Sequence, residues 1–301
     1  RSSPTRSSPP PRTLLSPPPA PRARRRYSPG AAPARRSPTR AAPGAPYHAR
    51  QYRGARGLHI LTTQHTRREG QQNPSPQPVR HTLLKDYVFP ELSPNNGTLL
   101  VVIDNLRLDQ FRILEPYINN HYKKDKEHSY FSILPTATQY ARNAMFSGLM
   151  PSEMEKMYPN YWKNDTDDGG KNLFEAEFLG AQLQRLGLNL KWEYHKISSL
   201  KQGKHLASNF NAQKDNDLTA IVYNFVDMLS HSKTEMEVIR ELASNDKAYR
   251  SLTLSWFKNS PLLEIIQKAQ KLGQKLIITT DHGTINVKNP PNNFHKQHTY
   301  S

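Results

Sequence analysis

Cysteine is absent from all 301 residues. Its absence excludes disulfide scaffolds, Cys-ligated zinc and a cysteine nucleophile together, so any metal must be held by His, Asp, Glu or hydroxyl groups. Long apolar runs are missing too. The longest, Leu99 to Ile103, has five residues, against roughly 20 for a membrane-spanning helix. No basic start followed by an apolar stretch is visible, so the sequence carries no recognisable secretory signal. These absences predict a cytoplasmic protein with no membrane partner.

Lysine is absent from residues 1–82, and acid almost so. That stretch holds 16 Arg, 16 of the 25 Pro and one acid, Glu69, and therefore carries +15 of the net charge of +17. Residues 83–301 hold 20 Lys, 6 Arg and a net charge of only +2. With repeated Arg-Ser-Ser-Pro phrases and few aliphatic side chains, residues 1–82 cannot offset an ordering entropy of about 1–2 kcal/mol per residue. The expectation is a disordered, low-complexity tail. Its Arg- and Ala-rich, acid-poor character resembles a transit peptide, but the prolines oppose an amphipathic helix. Specific nucleic-acid binding by the arginines ranks last among the functions considered, since the rest of the chain is near neutral. The exchange of Arg for Lys at Thr82 and Leu83 suggests two coding segments of different base composition, joined by a chimeric, frame-shifted or mispredicted start. The expected organisation is a tail over 1–82, a partial domain over 83–289 and an unstructured end over 290–301.

From Leu83 onward the length and composition fit one α/β domain with a sizeable core. Thr98 to Ile103 reads as a buried strand stopping at Asp104, Thr219 to Val226 as a second stopping at Asp227, and Lys275 to Thr280 as a third stopping at Asp281. Before the third, Pro261 opens a helix with Leu262, Ile265, Ile266, Ala269 and Leu272 on one face, and Gly273 is placed to end it. Helix, glycine, strand, aspartate is the repeating step of a mostly parallel sheet flanked by helices. Ligands of such sheets sit beyond the carboxyl ends of the strands, where three aspartates would converge. Taken singly, each is more readily a loop or helix cap. His231, four residues after Asp227, and His282, beside Asp281, add two imidazoles. Three carboxylates and two imidazoles suit Zn²⁺, Mn²⁺ or Mg²⁺, and five ligands are too many for one ion with an open position, so two metals are expected.

Thr136 and Thr138 precede a helix expected over Gln139 to Phe146, which Ser147-Gly148 follow. A helix N-terminus offers unpaired N–H groups to a phosphate oxygen, and a threonine placed there beside a divalent ion can attack phosphorus. The plainer use of such a threonine is as an N-cap.

These segments resemble the PglZ branch of the alkaline phosphatase superfamily. Leu99-Leu-Val-Val-Ile-Asp104-Asn-Leu-Arg-Leu-Asp109-Gln is similar to its first metal-binding strand end. Pro135-Thr-Ala-Thr138-Gln-Tyr-Ala-Arg-Asn-Ala-Met-Phe-Ser-Gly148 is similar to the nucleophile segment, and Asp227-x-x-x-His231 and Thr280-Asp281-His282-Gly283 to the remaining ligand pairs. Within the branch the likeness is greatest to the effector module of PorX-type response regulators, two-component proteins linked to type IX secretion, over about residues 83–289. The resemblance implies an alkaline-phosphatase-like fold and a metal-dependent phosphohydrolase, a phosphodiesterase or phosphatase. It implies zinc most often, with manganese as the alternative. One ion would be held by Asp104, Asp281, His282 and the nucleophile Thr138, the other by Asp227 and His231; Thr136 is the second choice of nucleophile. Arg142 or Asn143 would contact phosphate oxygens. The substrate would be a phosphate ester of nucleotide or oligonucleotide kind, and regulatory proteins the partners.

The family supplies a further histidine to the second metal from a segment well beyond the Asp-His pair. Here His295 and His298 follow in an Asn- and Pro-rich end, and no receiver domain precedes Leu83. The domain therefore reads as C-terminally truncated, and a non-catalytic regulatory or interaction module that has lost its second metal site is the alternative. Tyr158, Tyr161, Trp162, Trp192 and Tyr194 lie in an insertion-like stretch between Pro151 and Lys214. They either stack bases or pack a small cap, packing being the commoner use. Asp165-x-Asp167-Asp168-Gly169-Gly170 lacks the closing glutamate of a calcium loop and reads as a solvated turn.

Overall fold

Among the described residues every strand runs parallel to its neighbours. The computed structural model describes residues 57–64, 80–93, 96–164 and 166–284. Its strands are β1 (Gly57–Gln64), β2 (Thr98–Ile103), β3 (Lys123–Phe131), β4 (Trp192–Ile197), β5 (Leu218–Tyr223) and β6 (Lys275–Thr280). The helices are α1 (Leu108–Asn119), α2 (Thr138–Ser147), α3 (Pro151–Met157), α4 (Glu175–Arg185), α5 (Leu200–Ser208), α6 (Phe225–Glu235), α7 (Glu237–Leu242), α8 (Asp246–Asn259) and α9 (Pro261–Lys271). The strand order is β3-β1-β6-β2-β5-β4.

Every residue of β2 is buried, and its alternate side chains feed two cores. Leu99, Val101 and Ile103 meet Phe111, Leu114 and Ile118 of α1 and Leu262, Ile265 and Ile266 of α9. Leu100 and Val102 face the other way, toward Met145 and Phe146 of α2 and Phe178 and Leu179 of α4. Burying one such side chain contributes roughly 1.5–3 kcal/mol. A strand covered on both faces gains this at every position, which is why its sequence is a continuous apolar run rather than an alternating one. Helix α9 forms as its spacing predicts, and Gly273 follows its C-cap Leu272 with a left-handed φ of 74°. No helix among the described residues is long and apolar enough to cross a membrane.

The structure departs from the sequence reading in three places. The second strand ends at Tyr223, because Phe225 and Val226, read as its continuation, are the first turn of α6. Strand β1 falls inside the stretch read wholly as a tail and lies between β3 and β6. Its segment Gly57-Leu-His-Ile-Leu-Thr-Thr-Gln64 is rich in β-prone residues but short against its Arg- and Pro-rich surroundings. The rest of residues 1–79, and the end expected over 290–301, lie outside the described residues. Third, the aromatic stretch is no inserted cap: β4 within it is an edge strand of the main sheet. Tyr161 stacks on Phe174 and meets Phe178 edge-on, and Trp162 is buried, so these rings pack a core. Residues 166–170 form the exposed turn that was expected.

Candidate metal centre

Strand register builds the centre of the site. Ile103 of β2 lies opposite Thr280 of β6, so Asp104 and Asp281 leave the sheet side by side. Both are buried, at 1 % and 0 % exposure. Next comes Asn105, whose φ of 59° is a left-handed conformation that asparagine tolerates better than most residues. In that pose its N–H donates to Asp281 Oδ1 at 3.0 Å and its Nδ2 to Asp227 Oδ1 at 3.2 Å. The Leu106 N–H donates to Thr280 Oγ1 at 3.0 Å, and that hydroxyl donates to the His282 carbonyl at 2.7 Å. One turn of chain thus locks the ends of β2 and β6 together.

His282 stands at the mouth of this arrangement. Its Nδ1 lies 3.0 Å from Asp281 Oδ1 and 3.6 Å from Asp104 Oδ1. Asp104, Asp281 and His282 offer ligand atoms that all lie within 4.8 Å of one another. On the other side of the ring, Nε2 is 3.4 Å from Thr138 Oγ1. Thr138 is the first residue of α2, and the N-cap position is taken by Ala137, so the threonine hydroxyl is not the cap. Asn172 Nδ2 donates to the Thr138 carbonyl at 3.2 Å and fixes the head of the helix. Thr136 lies in the approach to α2, outside the helix.

Asp227 is not at a strand end; it is in the first turn of α6, linked to the cluster through Asn105. His231 follows one turn later, its Nε2 3.5 Å from Asp227 Oδ2 and its side chain 69 % exposed. This pair stands beside the group of three rather than within it. Arg142 and Asn143, expected at a phosphate, are placed otherwise. The Arg142 guanidinium is buried and committed to carboxylates, donating to Asp104 Oδ2 at 2.5 Å and to Glu175. Asn143 is buried, donating to the Lys171 carbonyl at 3.0 Å and accepting from Asn172 at 3.0 Å. Both side chains thus have internal partners, as most buried polar groups do. His295 and His298 lie outside the described residues.

Burial, then the neighbouring charge of Asp281, pushes the Asp104 carboxyl well above the usual carboxylate range, and Arg142 only partly opposes this. Burial alone would discourage the charge on Arg142. Glu175, Asp104 and Asp281 outweigh it and keep the guanidinium protonated. Asp104 Oδ1 and Asn105 Oδ1 are buried without a hydrogen-bond partner, an expensive condition unless something else binds there. Hard oxygens beside one imidazole are the donor set of a zinc, manganese or magnesium ion, so the residues present fit a divalent cation.

Sequence reasoning did not single out Asn105, Glu175 or Asn172. Asn105 had a readable signal, an Asp-Asn pair directly after a buried strand, where a left-handed turn is common. Glu175 and Asn172 had none, since their partners are distant in sequence.

The class defined by the fold and site is an α/β domain, a parallel sheet covered by helices with carboxylates and an imidazole gathered beyond its strand ends. The model of the family described as the BREX system PglZ alkaline phosphatase-like domain matches residues 83–300, and the chain belongs to this family. A comparison with curated proteins finds no match.

Proposed function

We propose that the chain is a cytoplasmic, metal-dependent phosphohydrolase in which Thr138 attacks a phosphate ester, of nucleotide or oligonucleotide kind. The observation that carries this reading is the single imidazole ring of His282. One nitrogen faces Asp104 and Asp281, the other faces the Thr138 hydroxyl.

Asp104, Asp281 and His282 would hold a divalent ion, zinc or manganese. Bound there, an ion would supply positive charge that offsets the charge on the phosphate. The Tyr140 and Ala141 N–H groups donate to the Ala137 carbonyl, which leaves those of Thr138 and Gln139 at the head of α2 to suit a non-bridging phosphate oxygen. Thr138 Oγ1 forms its bond to phosphorus in line as the bond to the ester oxygen breaks, the hydroxyl proton passes by way of solvent to the departing alcohol, and water then cleaves the phosphothreonine to phosphate and threonine. Asn172 keeps Thr138 at the head of its helix throughout. Asp227 and His231 are the residues for a second ion.

A second reading is favoured by the exposure of His231: a module that holds one cation and does not catalyse. The effector-module setting linked to type IX secretion, with regulatory protein partners, is kept as a proposal on the motifs quoted above, beside the BREX setting that the family description names. Hydrolysis of bis-para-nitrophenyl phosphate with added Zn²⁺ or Mn²⁺, together with metal analysis, separates the two chemical readings. Thr138→Ala is expected to lower the rate by about a hundredfold or more, with two ions per chain. Equal rates in the two proteins would overturn the nucleophile, and one ion without turnover would leave the second reading.

A further inference from the structure

Behind the group of three lies a buried ion network for which the proposed chemistry has no use. Arg142 is the largest fully buried side chain among the described residues. Its Nη1 donates to Asp104 Oδ2 at 2.5 Å and lies 3.7 Å from Asp281 Oδ2. Its Nε donates to Glu175 Oε1. Glu175 is 1 % exposed and anchored in turn, with the Lys196 ammonium 3.0 Å from Oε2 and the Tyr194 hydroxyl donating to the same oxygen.

The network sorts the oxygens of the two aspartates. Both Oδ2 atoms face Arg142, and both Oδ1 atoms face His282. The last torsion of an aspartate is soft, so an untethered carboxylate presents either oxygen. Asp104, tethered at Oδ2 by Arg142, presents Oδ1, whereas Asp281 Oδ1 is fixed by the N–H groups of Asn105 and His282, which donate to it at 3.0 and 2.9 Å. Glu175, pulling on the other edge of the guanidinium, keeps Arg142 from moving further between the two aspartates.

We propose that Arg142, anchored by Glu175, is a positioning residue that presents Asp104 Oδ1 to a divalent cation, beside Asp281 Oδ1. The inference rests on the metal-centre reading and deepens it. Charge alone argues the opposite, since a guanidinium beside a divalent ion repels it, and removing that guanidinium would tighten binding.

Calorimetric titration of the metal-free, full-length protein with Mn²⁺ decides between them. Arg142→Met is expected to bind Mn²⁺ about tenfold more weakly or worse, the range in which partners of metal ligands usually act, although a positive charge has been removed. Arg142→Lys keeps the charge and loses the fork. It is expected to weaken binding as well, and it carries the test if Arg142→Met does not fold. An unchanged or tighter dissociation constant in a folded variant overturns the proposal. A merely structural role would lower the melting temperature of the metal-free protein and leave the Mn²⁺ dissociation constant where it was. Wild-type protein that takes up no Mn²⁺ overturns the metal-centre reading and this inference with it, whereas wild-type uptake with unmoved variants overturns this inference alone.

Discussion

Asp104 is a carboxylate held where its charge is unfavourable. Burial and the charge of Asp281 raise its pKa in the folded protein above the unfolded value, so the folded form binds more protons than the unfolded one. The sign follows: stability of the metal-free protein falls as pH rises from about 4, where an unfolded aspartate ionises, up to the folded pKa. Asp104→Asn removes this term. In chelator at pH 7 the variant is expected to melt above wild type, with the difference closing below about pH 4; coincident melting curves at pH 7 would contradict it. The same substitution is expected to abolish Mn²⁺ uptake. Asp104, Asp281 and His282 were readable from sequence because a buried strand that ends in aspartate is a local pattern. Arg142 was read from the resemblance as a phosphate contact, and its carboxylate partners were not legible, since Asp104 and Glu175 lie 38 and 33 positions away.

Helix α2 carries Thr138, the proposed nucleophile, at its first position and Arg142 one turn later, so its placement sets both that residue and the network. It ends at Gly148, which adopts a left-handed φ of 66°. A β-carbon there would be strained and would press on the Gln182 amide of α4. Gly148→Ala is expected to cost about 1–2 kcal/mol, measured as a lower urea midpoint; a wild-type midpoint would show that α2 closes without the glycine. Both ends of α2 and of α9 were legible, because glycine stops and helical spacing are local signals. The end of β5 was not. Phe225 and Val226 prolong an apolar run, and a short apolar run does not say whether it continues as strand or turns into helix. Phe225 stacks on Trp256 of α8 with centroids 4.3 Å apart, a tertiary contact that favours the helical outcome.

Across the whole molecule, the sheet depends on a strand drawn from the Arg- and Pro-rich leader. β1 pairs with β6 on one side and β3 on the other. A protein beginning at Leu83 would leave β3 without a strand neighbour among the described elements and one edge of β6 open. Such edges promote self-association. The shortened protein is expected to aggregate in size-exclusion chromatography, and one beginning at Gly57 to behave as the full chain; equal solubility of the two would show the pairing to be dispensable. The overall class, a mostly parallel sheet between helices, was legible because β2, β5 and β6 are continuous buried runs. The place of β1 was not, since its composition is masked by that of its neighbours. The order of the strands also sets a timetable. β6 comes last in the described chain yet inserts between β1 and β2, and Asn105 meets Asp281 across 176 positions. Parallel pairing over such distances is slow. A nascent chain stalled before Lys275 would already hold Thr138 and Asp104 and still lack Asp281 and His282, so with the proposed cation site metal uptake would report that folding is finished rather than guide how it starts.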